Sequence, residues 1–254
     1  SACLFATGST PPSFRHRWKT GEIIELRASP DYFEHRPHID RYLYRIIPDQ
    51  ATLFLELLTH GVDSTTLTPL QYRRQAGAPV IERSYQKFRH PSFGFTYIGY
   101  NLQDERFKDV RVRRAISLAV DKQAIIDGVL YGLGAVATGP YPKESWAYDA
   151  SIAPTVYDPE GARALLAQAG WADRDGDGWL DRDGQPFRFT LITNQGNEVR
   201  RQVSEIVQQH LKAVGIDVKV KIIEWSTFVQ EFIDKRRFEA MLRGWGLSRD
   251  PDLY

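Results

Sequence analysis

The stretch from residue 94 to residue 141 constrains the fold more than any other part of the chain. Residues 94–101 read GFTYIGYN, an apolar and aromatic run with the length and composition of a β-strand. Asp109 and Asp121 then stand where helices begin, since a carboxylate accepts hydrogen bonds from first-turn N–H groups; the second helix is expected over 122–130. Apolar residues at i, i+3, i+4 and i+7 predict one buried face on the first helix. They are Val112, Ala115, Ile116 and Ala119.

A second pattern lies nearer the C-terminus. The alternating segments 187–193 and 216–223 flank an amphipathic helix over 197–214, and this βαβ order predicts two parallel strands. Further strands are expected over 238–242 and 80–83. The fold class predicted by these patterns is therefore α/β, with mixed sheets flanked by helices.

Charge and motif content exclude several functions. The chain of 254 residues carries a formal net charge of +1, so it has no overall field that would attract nucleic acid or an acidic membrane. No apolar run approaches the roughly 20 residues needed to span a bilayer. The sequence contains no G-x-S-x-G elbow, P-loop, H-E-x-x-H or G-x-G-x-x-G motif, so we expect a protein that is not an enzyme. An unrecognised hydrolase stays open as an alternative, because the residues of a catalytic triad need not be close in sequence.

The first stretch also resembles the signature region of the family 5 extracellular solute-binding proteins, the peptide/nickel-type receptors of ABC importers. The family pattern is an aromatic strand ending in Asn, then F-x-D-x-R-V-R-x-A-x-x-x-A-x-D-(K/R)-x-x-I, then a Gly-rich turn. The matching residues are Asn101, Phe107, Asp109, Arg111, Val112, Arg113, Ala115, Ala119, Asp121, Lys122 and Ile125.

This resemblance implies a periplasmic-binding-protein-like fold of the type II, bilobal kind, of which the chain is a fragment. Residues 1–94 are then expected to form part of the first lobe, and residues 95–243 the second, α/β lobe. Residues 244–254 are expected to begin a truncated return segment toward the first lobe.

The resemblance also implies a function without catalysis. The protein is expected to capture a peptide or similar small polar solute in a cleft between the lobes and to deliver it to ABC permease subunits. It would work in the periplasm or on the extracellular face, with lipoprotein anchoring in the full-length form left open. The alternative is a ligand-sensing or regulatory domain that signals to a partner protein. Peptides, opines, sugars and metal chelates all remain open as ligands, and no cofactor is expected.

Two tryptophans are the main candidates for ligand contact. Trp225 and Trp245 each follow a predicted strand, and in the peptide-binding branch of the family the equivalents of both face the ligand. Packing in the core is the alternative for each. Tyr97, Tyr100 and Asn101 are further candidates, because in the family this strand crosses between the lobes.

One departure from the family concerns the residues after Trp245. Oligopeptide and dipeptide receptors have an Asp three residues after this Trp, which pairs with the amino terminus of the peptide. Here the position is Ser248, which supplies no charge. Asp250 replaces the family's Asp only if the loop after Trp245 follows a different path from that in the family. Arg249 equally favours an anionic ligand.

An acidic, glycine-containing segment resembles a calcium-binding loop. Carboxylates occur at its positions 1, 3, 5 and 9 and glycine at position 6, as oxygen ligands of calcium require. The twelfth position, where an EF-hand has Glu, is Gly184. A structural calcium ion and a metal-free turn held by Asx hydrogen bonds are both open. The candidate ligands are Asp173, Asp175, Asp177 and Asp181.

Overall fold

A computed structural model describes residues 12–33, 35–90 and 92–247, and its contacts divide the chain into two compact units. The first unit extends to Asp63 and the second begins at Ser64. The lobe boundaries expected from the family stay a prediction.

The first unit is a small antiparallel sheet followed by a helix. Its strands pair in the order β1-β2-β3. Asp49 caps the helix, because its carboxylate accepts from the Thr52 N–H at 2.7 Å. The elements are β1 (Ser13–Lys19), β2 (Ile23–Ala28), β3 (Arg41–Arg45) and α1 (Gln50–Leu58).

The second unit is built on a mixed four-stranded sheet in the order β4-β9-β7-β8. Strand β4 is antiparallel to β9, whereas β7 is parallel to both β8 and β9. The strands are β4 (Gly94–Tyr100), β5 (Asp181–Arg182), β6 (Gln185–Pro186), β7 (Arg188–Asn194), β8 (Asp217–Ile223) and β9 (Ala240–Gly246). The helices are α2 (Pro79–Ser84), α3 (Glu105–Lys108), α4 (Val110–Ala119), α5 (Lys122–Gly128), α6 (Pro159–Gln168), α7 (Glu198–Lys212) and α8 (Trp225–Thr227), with π-helical segments at Gln71–Gln75 and Phe228–Ile233.

Helices cover both faces of this sheet, which confirms the predicted mixed α/β class. The larger apolar cluster lies against α4, α6 and α7 and includes Phe107, Leu191 and Leu242. A smaller cluster on the other face contains Ile192, Ile223 and Phe228. In the part of the chain that the structure describes, each helix is too short or too polar to cross a membrane.

The helix signals of the first stretch are confirmed. The carboxylate of Asp109 accepts from the Arg111 N–H at 2.8 Å, and that of Asp121 accepts from the Ala124 N–H at 2.9 Å. The residues predicted to form one buried face of α4 are at most 1% exposed. They are Val112, Ala115, Ile116 and Ala119.

Two expected strands differ from the structure. The strand predicted at 80–83 is wrong, because Pro79 at the first helical position starts α2 there. The strand predicted at 238–242 is β9 and lies at Ala240–Gly246 instead. Its end is set by pairing with β4, in which Gly94 lies opposite Gly246. Trp245 therefore lies inside a strand rather than after one.

Arg106 connects three elements of the second unit. Its guanidinium donates to the carboxylates of Asp104 and Glu239 and to the backbone carbonyl of Arg188. Glu239 also accepts from the Thr190 N–H at 2.7 Å, which ties the segment before β9 to β7. Burial alone would raise the pKa of Glu239, but the hydrogen bonds from Arg106 and Thr190 outweigh it and lower that pKa.

We expect Glu239→Gln to lower the free energy of unfolding at pH 7 by about 1–2 kcal/mol, because a charge-assisted hydrogen bond is lost. The pKa of Glu239 is lower in the folded state than its ordinary value of 4.5, so its contribution is present above that pH and is lost as the pH falls through the folded pKa. Urea unfolding at pH 7 and pH 3 measures this: the deficit of the variant should be smaller at pH 3 than at pH 7.

Glu231→Gln is the matched control, since within the described residues Glu231 forms ion pairs with Lys235 and Arg237 of its own segment alone. It should change stability far less at either pH. A deficit of Glu239→Gln that is equal at pH 7 and pH 3 would contradict the charge-based account.

Candidate ligand-binding site

Three parallel strands of the second unit end at one edge of the sheet. Strands β7, β8 and β9 finish at Asn194, Ile223 and Gly246, and the antiparallel β4 begins beside them at Gly94. In open α/β sheets, ligands bind beyond the carboxyl ends of the strands. This edge, which we call the carboxyl edge, is therefore the candidate ligand-binding site.

Trp245 lies at the carboxyl edge on the sheet face that points away from the larger core cluster. It is directly opposite Phe95 across the β4–β9 pair, and it is 48% exposed. Strand alternation puts Arg243 on the same face, where its guanidinium carbon lies 5.3 Å from the centre of the Trp245 ring. A half-exposed indole in this position offers a flat apolar surface to a ligand.

Trp225 begins α8, just after β8. The carboxylate of Glu224 accepts from the N–H groups of Ser226 at 2.8 Å and Thr227 at 2.9 Å, and these bonds lower the pKa of Glu224. The Trp225 ring stacks on Phe228 with centroids 6.1 Å apart, yet the residue is 50% exposed. Because only β7 separates β8 from β9, the strand ends that carry the two tryptophans are about 10 Å apart.

The three further candidates on and after β4 have different surroundings. Tyr97 lies opposite Arg243, on the same face as Trp245. Tyr100 points to the other face, where it packs 5.0 Å from the Phe107 ring, and burial raises its pKa. The Asn101 amide nitrogen donates to the backbone carbonyls of residues 236 and 238 at 3.2 and 3.0 Å, so it fixes the backbone just before β9. The structure brings only Tyr97 to the face that carries Trp245.

Two arginines at the carboxyl edge were missed by the sequence analysis. Arg200, in the first turn of α7, donates to the Asn194 side chain at 2.6 Å and lies against Gly244. A Cβ added at Gly244 would lie 2.6 Å from its Nη2, so the glycine makes room for the guanidinium. Burial and the nearby Arg243 lower the pKa of Arg200. For Arg243, the available sequence signal was the alternation of side chains along β9, which puts it on the same face as Trp245. That signal could be used only with the correct end of the strand.

Three of the sequence-predicted residues cannot be placed at this edge. Ser248, Arg249 and Asp250 lie outside the described residues, so their roles stay predictions. The last described residue, Leu247, donates its N–H to the Phe93 carbonyl at 2.6 Å.

The acidic loop lies at the opposite end of the sheet. Carboxylate oxygens of Asp173, Asp175 and Asp177 come within 4.8 Å of one another, and all three residues are exposed. Asp181 is outside this group, because its carboxylate accepts from Arg174 at 2.7 Å. Asp173 accepts from the N–H groups of Gly176 at 2.8 Å and Gly178 at 3.0 Å, as an Asx turn requires.

The chain belongs to a family of binding proteins. Residues 14–254 match the model of the bacterial extracellular solute-binding proteins, family 5, middle region. The chain is therefore a member of family 5, as its signature stretch predicted. Members of this family bind solutes and are not enzymes.

Among its relatives is the oligopeptide-binding protein AppA of Bacillus subtilis, which is 39% identical over 97% of this chain and 45% of AppA. The structure of AppA in complex with a nonapeptide superposes with a TM-score of 0.83, over 96% of this chain and 48% of AppA. NikZ from Campylobacter jejuni, in complex with Ni(L-His), is 26% identical with a TM-score of 0.84, over 95% of this chain and 47% of NikZ. The chain thus spans about half the length of these relatives.

For the acidic loop, we expect Asp173→Ala to lower the free energy of unfolding by about 1 kcal/mol, because two backbone N–H groups lose their acceptor. The loss should be the same in excess EGTA and in millimolar calcium, as measured by urea unfolding. Asp175→Ala, which removes one longer hydrogen bond of 3.3 Å, is the control and should cost less. Calcium-dependent stabilisation of the wild type that Asp173→Ala abolishes would instead support the calcium hypothesis.

Proposed function

We propose that the chain is part of a receptor that captures a peptide or similar small polar solute outside the cytoplasm and delivers it to an ABC permease. The observation that carries this proposal is the pair of half-exposed tryptophans, Trp225 and Trp245, at the carboxyl edge in a member of family 5. Aromatic walls with a few fixed polar groups are typical of small-ligand sites.

A peptide is the ligand class we favour. AppA was solved with a nonapeptide, and a relative from Escherichia coli, 27% identical over 96% of this chain, is a dipeptide-binding protein. NikZ was solved with a nickel–histidine complex, so metal chelates stay the second candidate. The permease partner and lipoprotein anchoring are further parts of this proposal. A sensor domain is less favoured, because AppA and the Escherichia coli relative are both named as binding proteins.

Native mass spectrometry of the full-length protein tests the receptor role. We expect a co-purified solute at one molecule per chain, released and identified under denaturing conditions. A protein that purifies empty, and that peptides, sugars and metal chelates all fail to stabilise against heat, would contradict the proposal.

Replacing Trp245 tests the carboxyl edge directly. We expect Trp245→Ala to weaken peptide binding by about tenfold or more, because the loss of a well-packed aromatic anchor costs on the order of 2 kcal/mol. Isothermal titration calorimetry on the full-length protein measures this without relying on tryptophan fluorescence. Trp225→Ala should act in the same direction.

Trp179→Ala is the matched control. Trp179 lies in the acidic loop, which meets β7 and β8 at their amino ends. There the backbone of Leu180 forms hydrogen bonds with the backbone of residues 187 and 215. The control should therefore leave the affinity unchanged. If Trp245→Ala binds peptide as tightly as the wild type while Trp179→Ala does not, the ligand site is at the other end of the sheet.

A further inference from the structure

Arg243 stands out at the carboxyl edge because one of its nitrogens has no partner. Its Nε atom is buried and makes no hydrogen bond within the described residues. A buried donor of a charged group is costly when it lacks an acceptor. Arg106 shows the contrast, since its guanidinium meets two carboxylates and a carbonyl.

A second cation strengthens the positive charge at this place. Arg243 and Gly244 are neighbours in β9 and point to opposite faces, so the guanidinium of Arg200, which lies against Gly244, flanks β9 from the other face. Within the described residues, the only hydrogen-bond acceptor of the Arg200 guanidinium is the neutral side chain of Asn194. The two like charges repel each other, and burial and this repulsion lower the pKa of Arg200.

The carboxylate of Glu224, on the same edge, does not balance these charges. It accepts from the N–H groups of Ser226 and Thr227 in its own helix cap. Within the described residues, neither Arg243 nor Arg200 forms an ion pair. The anion that would balance them has to come from elsewhere.

We propose that the guanidinium of Arg243 receives a carboxylate of the bound solute, so that the receptor selects peptides or similar molecules with a free carboxyl group. This inference rests on the proposed function. Trp245, whose ring lies against the Arg243 guanidinium, would then contact the part of the ligand next to that carboxylate. Arginine suits this role because its planar fork matches a carboxylate.

The first test needs no ligand. The full-length protein is first freed of solute by unfolding and refolding. Arg243→Met then replaces the unpaired cation by an apolar side chain of similar length. We expect its melting temperature to equal or exceed that of the wild type. Arg106→Met, the control, should melt well below it, because it leaves two carboxylates without their partner.

A melting temperature of Arg243→Met as far below the wild type as that of Arg106→Met would overturn the proposal. Arg243 would then be paired inside the protein. Asp250→Asn and Asp252→Asn, each combined with Arg243→Met, would identify such a partner by a loss of additivity.

The second test compares a random nonapeptide library with free carboxyl termini and the same library with amidated termini. We expect the wild type to bind the free acids about tenfold more tightly, as one charge-assisted hydrogen bond provides. Arg243→Met should abolish this preference. Arg201→Met should keep it, because Arg201 is paired with Glu198 and Glu205 on the exposed side of α7.

The outcomes separate this inference from the proposed function. Equal binding of acids and amides by the wild type overturns the role of Arg243 and leaves the peptide receptor standing. If the folded wild type binds neither library, the peptide proposal is wrong. The melting temperatures then still test whether Arg243 is unpaired within the protein.

Discussion

The pairing of β4 with β9 is the interaction on which the second unit depends. It joins seven consecutive residue pairs, from Gly94 with Gly246 to Tyr100 with Ala240, although the strands are far apart in sequence. On one face this register puts Ile98 and Leu242 into the larger core cluster. On the other it sets Phe95 beside Trp245 and Tyr97 beside Arg243. A slip of one residue would exchange the two faces.

Local signals made much of this unit predictable. Asp109 and Asp121 cap helices by bonds within three residues, and the buried face of α4 follows from helical spacing alone. The parallel β7–β8 pair followed from the βαβ order. The position of Trp225 just after β8 followed from the end of the alternating pattern of that strand.

Other features depend on contacts that a single segment does not encode. The segment at 80–83 has apolar residues typical of a strand, but Pro79 occupies the first position of a helix there. Pairing with β4 fixes the end of β9. The sheet face on which Trp245 and Arg243 lie could therefore not be predicted from their own segment. The contact of Arg200 with Gly244 depends on how α7 packs on the sheet, which the spacing of α7 does not determine.

The place of β9 has a consequence for how the chain is made. It is the last of the four strands to leave the ribosome, yet it lies between β4 and β7. Until it arrives, β4 has no neighbour in this sheet and β7 has an open side. Such non-local closure is slow, because the loop must be closed before its contacts form. The four-stranded sheet therefore stays incomplete until β9 has been synthesised.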